Sequence, residues 1–130
     1  CIASSHRDWS RWYEIRQHLR AAWTRFFTDY DVLQCPCVHL TAFPHDHTPD
    51  MSARKHTVNG EEREYMDILF WSGVTLNCGL PATSTPIATS SEGLPIGVQV
   101  AANYLEDKTA LAVAKMLQAD HRAFTPPPGY

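Results

Sequence analysis

The sequence contains no apolar run approaching the roughly 20 residues that a membrane-crossing helix needs, so no such helix is expected. Nor is there a strong charge imbalance. The formal net charge is −3, too mild to argue for nucleic acid or an anionic membrane surface as a partner. Cysteine is sparse, with 4 in 130 residues. Cys35 and Cys37 are neighbours on one face of a probable strand, a poor geometry for a bridge. Cys78 ends a predicted helix and Cys1 is terminal. These positions exclude a disulfide framework and point to reduced thiols in a cytoplasmic protein. No signal peptide precedes the first helix, and no initiator methionine stands at position 1. There is no internal repeat and no sign of a second domain. A chain this long makes one domain at most, with enough residues to bury a core.

What is present is organised around one stretch. Asn77-Cys78-Gly79-Leu80-Pro81-Ala82-Thr83-Ser84-Thr85-Pro86 leads through a polar loop to Gly93-Leu94-Pro95-Ile96-Gly97-Val98-Gln99-Val100. It reads as two strands, each introduced by Gly-Leu-Pro. Proline at the start of a strand needs no ladder donor, and glycine permits the turn before it. Ile96, Val98 and Val100 alternate with Gly97, Gln99 and Ala101, the period of a strand with one apolar face. The small residues on the other face would let a second layer approach closely.

Ahead of that pair, Ser5 and Asp8 suggest a capping box. Trp12, Ile15, Leu19, Trp23, Phe26 and Tyr30 then fall at helical spacing, which predicts a long helix packing an aromatic stripe into the core. Arg11, Glu14, His18 and Arg25 populate its other face. The series Arg7, Arg11, Arg16, Arg20 and Arg25 is broken by acids and reads as a solvated surface rather than an RNA-binding helix.

Val32 to Pro36 is a short strand ended by proline. Val38 to Arg54 shows no periodicity, and a loop of that length is usually functional or mobile. His39, His45, His47 and His56, with Asp46 and Asp50, are donor types that zinc accepts. No thiolate joins them at the usual spacing, so the histidines are expected at the surface or supporting a neighbouring group. A non-catalytic binding module with a loop-histidine metal site remains an alternative.

Asn59-Gly60 predicts a two-residue hairpin turn, because both residues tolerate positive φ. A helix is expected from near Glu64, with Tyr65, Ile68, Leu69, Ser72 and Leu76 on one face. Gly79 is its predicted C′ residue, with Pro81 blocking continuation. Asp107 is the expected cap of a last helix over Lys108–Gln118, with a stripe of Leu111, Ala114 and Leu117 widened by Val113. The closing prolines, Pro126 to Pro128, read as extended and surface-bound.

The two Gly-Leu-Pro blocks closely resemble the C-terminal end of amidase-signature hydrolases. Trp23 to Pro36 looks like that family's helix feeding a strand, and Ala42 to His47 and Pro126 to Tyr130 are also similar. The resemblance implies an α/β fold, a mixed β-sheet flanked by helices, with residues 1–130 forming the C-terminal segment of one amidase domain. It implies hydrolysis of a carboxylic amide by a serine, a second serine in a cis peptide and a lysine base, all upstream of this chain. No catalytic residue is therefore assigned within 1–130. Ser90-Ser91-Glu92-Gly93 reads as a loop linker without flanking glycines, and Ser5 and His6 complete no triad.

The resemblance needs no cofactor and no metal. It implies as partners a small-molecule amide substrate and the rest of the amidase polypeptide, and it allows a homodimer. The segment would complete the sheet and wall the substrate cleft, through Phe43, Trp71 and Thr75. Glutamine-using relatives carry an acid in a segment like Asp67-Ile68-Leu69, where it holds the substrate ammonium. Asp67 matches in type but lies farther from Gly79. The runner-up function is accordingly the A-type subunit of a glutamine amidotransferase acting on charged transfer RNA.

Overall fold

The structure, a computed structural model, describes residues 3–121, 124–127 and 129. Cys1 and, in the terminal proline tract, Pro128 and Tyr130 lie outside the described residues. In chain order the elements are α1 (His6–Phe26), β1 (Leu33–Pro36), a 3₁₀ turn (Met51–Ala53), β2 (Lys55–Val58) and β3 (Glu61–Glu64). There follow a second 3₁₀ turn (Tyr65–Leu69), α2 (Phe70–Leu76), β4 (Ala82–Thr89), β5 (Pro95–Ala101) and α3 (Asp107–Asp120). No helix among the described residues is long and apolar enough to cross a membrane.

Two antiparallel sheets carry the fold. One has three strands in the order β1-β5-β4, and the other is the β2–β3 hairpin. The expected combination of sheet and flanking helices is present, and among the described residues every strand pair is antiparallel. The pair built on the two Gly-Leu-Pro blocks is β4–β5, with β5 in the centre. Pro86 sits on β4, an edge strand, where its missing N–H costs no ladder bond. The register slips between Pro86 and Ala88, so Ile87 forms a bulge.

The core sits at the end of β5. Val100, Ala101 and Ala102 are fully buried and Gln99 nearly so. The alternation expected along β5 therefore stops short of its end, because both faces of the sheet are covered there. At Gly97 the close neighbour is the adjacent strand β4 rather than the second layer expected at the small residues. A Cβ at this position would stand 3.3 Å from the Thr85 carbonyl oxygen, tighter than ordinary van der Waals contact.

α3 packs on β4 through Ala110 and Ala114. This rotates the expected stripe: Leu111 is exposed, and Ala110 takes its place beside Val113, Ala114 and Leu117. Small alanines let the helix lie close to the strand. The helix also starts one residue early. Glu106 is the cap position and Asp107 lies in the first turn, favourable to the dipole.

α1 departs furthest from expectation. It has no buried residue, and Trp12 is 65% exposed, with Ile15 and Leu19 also exposed, while Tyr30 of the expected stripe lies beyond its end and is exposed. Only its C-terminal half is partly covered, at Gln17, Arg20, Trp23 and Phe26. The stripe is thus left open along its N-terminal part, at Trp12, Ile15 and Leu19. Arg20, expected in solvent, instead holds the helix to the body. Its Nε donates to the Cys78 carbonyl at 2.9 Å, and its guanidinium stacks 4.0 Å from the Tyr104 ring centroid. At the other end Ser5 caps the helix as expected, its hydroxyl accepting from the Asp8 N–H.

Gly79 closes α2 as predicted. It takes φ +65, Leu80 N–H donates to the Thr75 carbonyl and Gly79 N–H to that of Leu76, the paired bonds of a Schellman end. The Cys78 carbonyl, left free by that turn, accepts from Arg20. The helix expected from Glu64 is split into a 3₁₀ turn and α2, and Leu69 and Leu76 of its expected buried face are exposed.

Candidate functional site

The long loop between β1 and the first 3₁₀ turn lies beside the β2–β3 hairpin, and the cavities gather there. Local chemistry shapes both. The Asp46 carboxylate accepts from Thr48 N–H at 2.9 Å, and that of Asp50 from Ser52 N–H at 2.9 Å. These Asx turns hold both carboxyls below the usual carboxylate range, chiefly through the Thr48 and Ser52 hydrogen bonds. In the hairpin, Asn59 and Gly60 take φ 52 and 83, as a type I′ turn requires. Lys55 lies opposite Glu64 and pairs with it, which raises the lysine above its ordinary value.

Phe43, a predicted cleft residue, lines three cavities, two of which also reach the strands. One, of about 480 Å³, is lined mainly by apolar side chains, including Pro36, Val38, Leu40, Phe43, Pro95 and Ile96. The other, of about 610 Å³, adds His45, Asp46, His47, Lys55 and His56. Asp67 and Trp71 line a separate cavity together, of about 410 Å³, with His39, Val58, Arg63 and Phe70. His39 belongs to both the apolar cavity and the Asp67–Trp71 one. The structure thus brings three of the four predicted residues to cavities on either side of one histidine. Thr75, the fourth, is buried at 5% exposure. Its hydroxyl donates to the Ser72 carbonyl and lies 3.4 Å from Gln99 Oε1, so it belongs to the packing behind the cavities.

The histidines fall into two pairs. His39 Nε2 lies 2.8 Å from His56 Nε2, and the His45 and His47 rings meet edge to face at 5.8 Å. Among the described residues no three His, Cys, Asp or Glu side chains gather where a metal ion could be held. The loop-histidine metal site therefore lacks a donor set.

The placement of Arg63 and Gln99 and the burial of His56 were not legible in the chain. Arg63 appears in the sequence as one charge in Glu-Glu-Arg-Glu, and only the hairpin register sets it across from His56. His56 is 6% exposed, although its flanking residues are polar. Gln99 crosses the core, its amide nitrogen 3.3 Å from both Cys35 Sγ and the Trp71 carbonyl. This fixes the start of α2 against β1. Ser90 carries out the turn role its loop suggests, its hydroxyl accepting from the N–H groups of Glu92 and Leu94. The cysteines at 35, 37 and 78 are free thiols.

Comparison with known proteins bears on the family and the fold. The family model described as Amidase matches residues 2–111. The A-type subunit of the glutamyl-tRNA(Gln) amidotransferase of Prochlorococcus marinus subsp. pastoris is 33% identical over 106 residues, spanning 82% of this chain and 20% of that protein. Fatty-acid amide hydrolase 2-A of Danio rerio is 44% identical over 48 residues, 37% of this chain and 9% of its own length. A crystal structure of an amidase superposes with a TM-score of 0.76 at 22% identity, over 92% of this chain and 26% of that one. A second structure, from work on the origins of an s-triazine catabolic enzyme, also reaches 0.76, at 23% identity and 95% coverage of this chain. At such identities the superpositions speak for the fold. The chain spans about a fifth of the length of the amidotransferase protein it matches. With the family model covering most of its length, the chain belongs to the amidase family.

Proposed function

We propose that this chain forms one wall of the substrate cleft in a larger amide hydrolase, as the C-terminal segment of its domain. The attacking serine, the second serine and the lysine base come from another part of the polypeptide. A neutral, desolvated lysine takes the serine proton, directly or through the second hydroxyl, and backbone donors hold the oxyanion. The rest of that polypeptide covers the aromatic face of α1. The free thiols fit a reducing, cytoplasmic compartment.

The observation that carries the reading is the apolar cavity of about 480 Å³ against Phe43, within the range of small-molecule sites. Its lining suits the apolar acyl or aryl part of a carboxylic amide. In the intact protein, Phe43→Ala is expected to raise KM for an aryl amide about tenfold and leave kcat within about twofold, the pattern of lost uniform binding. Unchanged KM would remove Phe43 from the cleft.

A second reading is favoured by one observation. The Asp67–Trp71 cavity holds Arg63 and Asp67 together, charges of opposite sign that suit the carboxylate and ammonium of a free amino acid. This supports a glutamine-using enzyme, as in the amidotransferase relatives. Ammonia release from glutamine, lost in Asp67→Asn and retained in Phe43→Ala, separates it from the first.

A further inference from the structure

We propose that His39 is a substrate-contacting donor, its Nδ1–H fixed by His56 at the junction of two cavities to take an oxygen on the amide substrate. The proposal rests on the loop cavities being the substrate cleft. His39 lines both the apolar cavity and the Asp67–Trp71 cavity. A substrate group that extends from the first towards the second therefore meets this ring.

The hydrogen bonds select the tautomer. His39 Nε2 lies 2.8 Å from His56 Nε2, a separation that needs one N–H to face one lone pair. Two neutral rings can arrange this in two ways. In one, His39 donates from Nε2 and His56 carries its hydrogen on Nδ1. In the other, His56 donates from Nε2 and His39 carries its hydrogen on Nδ1. Each arrangement has one hydrogen on an Nε2 and one on an Nδ1, so the intrinsic preference of imidazole cancels. Only the surroundings of the two Nδ1 atoms decide.

Those surroundings differ. His56 is 6% exposed, and its Nδ1 has no partner among the described residues. The Phe43 ring stacks 6.3 Å from that of His56, an apolar neighbour. The first arrangement would bury an N–H there with nothing to accept it. The second leaves only a lone pair at that place and puts the N–H on His39, which is half-buried beside the cavities. Orphaned buried N–H groups are the rarer defect. His56 thus acts through His39 as a positioning residue, setting which nitrogen of His39 bears the hydrogen.

An imidazole N–H takes an oxygen acceptor. The substrate class is therefore an amide whose apolar acyl or aryl part carries a hydroxyl or carbonyl oxygen at its edge. The scissile carbonyl itself is left to the backbone donors.

Two measurements on the intact protein at about pH 8, above the ordinary histidine value of about 6.5, test this. In the first, nitrogen-15 NMR of histidine-labelled protein reads the tautomers, with His39 assigned by its loss in His39→Gln. Nδ1–H at His39 and Nε2–H at His56 are expected, and the reverse pair or an even mixture would overturn the proposal. The second compares aryl amides hydroxylated at each ring position in turn with counterparts methylated at the same position. His39→Gln lacks a donor where Nδ1 stood. For at least one hydroxylated amide it should raise KM about tenfold with kcat within about twofold, leaving the methylated counterpart within about twofold. His39→Asn, whose amide nitrogen falls near the Nδ1 position, should restore most of that loss. Equal effects on every pair, or no recovery in His39→Asn, would overturn the proposal. If Phe43→Ala raises KM and His39→Gln does not, this inference fails and the cleft reading stands. If Phe43→Ala changes nothing, both fall.

Discussion

Gln99 shows how one polar side chain can order a small core. Its amide reaches β1 at Cys35 and α2 at the Trp71 carbonyl, and it meets the Thr75 hydroxyl. Replacement by leucine would leave those partners buried and poorly satisfied. Gln99→Leu is expected to cost about 1–3 kcal/mol in urea unfolding of the intact protein. Thr85 is the converse case. It is 2% exposed and its hydroxyl has no partner among the described residues. Thr85→Val should be neutral or stabilising, because it removes an unsatisfied polar atom at nearly constant shape. The loop carboxylates fix an acid limit. Asp46 and Asp50 have lowered values in the folded loop, so their contribution is present above about pH 4 and lost as pH falls through their folded values. Circular dichroism and exchange of the 46–53 segment should show that loss only below about pH 4.

At the scale of elements, the end of α2 couples to α1. Gly79 is in the left-handed region at φ +65, and a Cβ there would come 3.0 Å from Arg20 Nη2. Gly79→Ala therefore strains the backbone and pushes Arg20 away from the Cys78 carbonyl. The expected cost is about 1–2 kcal/mol. Arg20→Ala removes the same contact from the other side, so the double variant should cost less than the sum of the singles. Full additivity in chemical denaturation would show that the two elements are not joined there. The Schellman end was readable from Gly79 and Pro81, and the hairpin from Asn59-Gly60, because those turns depend on φ values that few residues adopt. The split of the expected 64–76 helix was not readable. Apolar spacing does not distinguish a 3₁₀ turn followed by a short helix from one continuous helix.

At the scale of the whole molecule, the chain leaves much apolar surface open. Trp9, Trp12, Tyr13, Ile15 and Leu19 on α1 are exposed, as are Leu76 and Met116 elsewhere. A face of this size on one helix is far more than scattered surface residues require. Residues 1–130 expressed alone are expected to bind an apolar dye and self-associate, and the intact polypeptide is not. A monomeric fragment with a cooperative melt, read by sedimentation and calorimetry, would show that the face needs no cover.

Local chemistry alone determined several of the places where this chain turns or stays regular. Period, proline and glycine place the α1 helix, the strand pair at 82–101, the 59–60 turn and the stop at Gly79, because each is a matter of a few neighbouring dihedrals. Tertiary structure alone decided which faces those segments cover. An apolar stripe on α1 says that something must lie on it, not that Arg20 will be the side chain that docks. Two histidines 17 positions apart carry no signal of a shared proton until a loop and a hairpin fold against each other. Side-chain environment depends on what arrives from elsewhere in the chain, and no window of local sequence contains it.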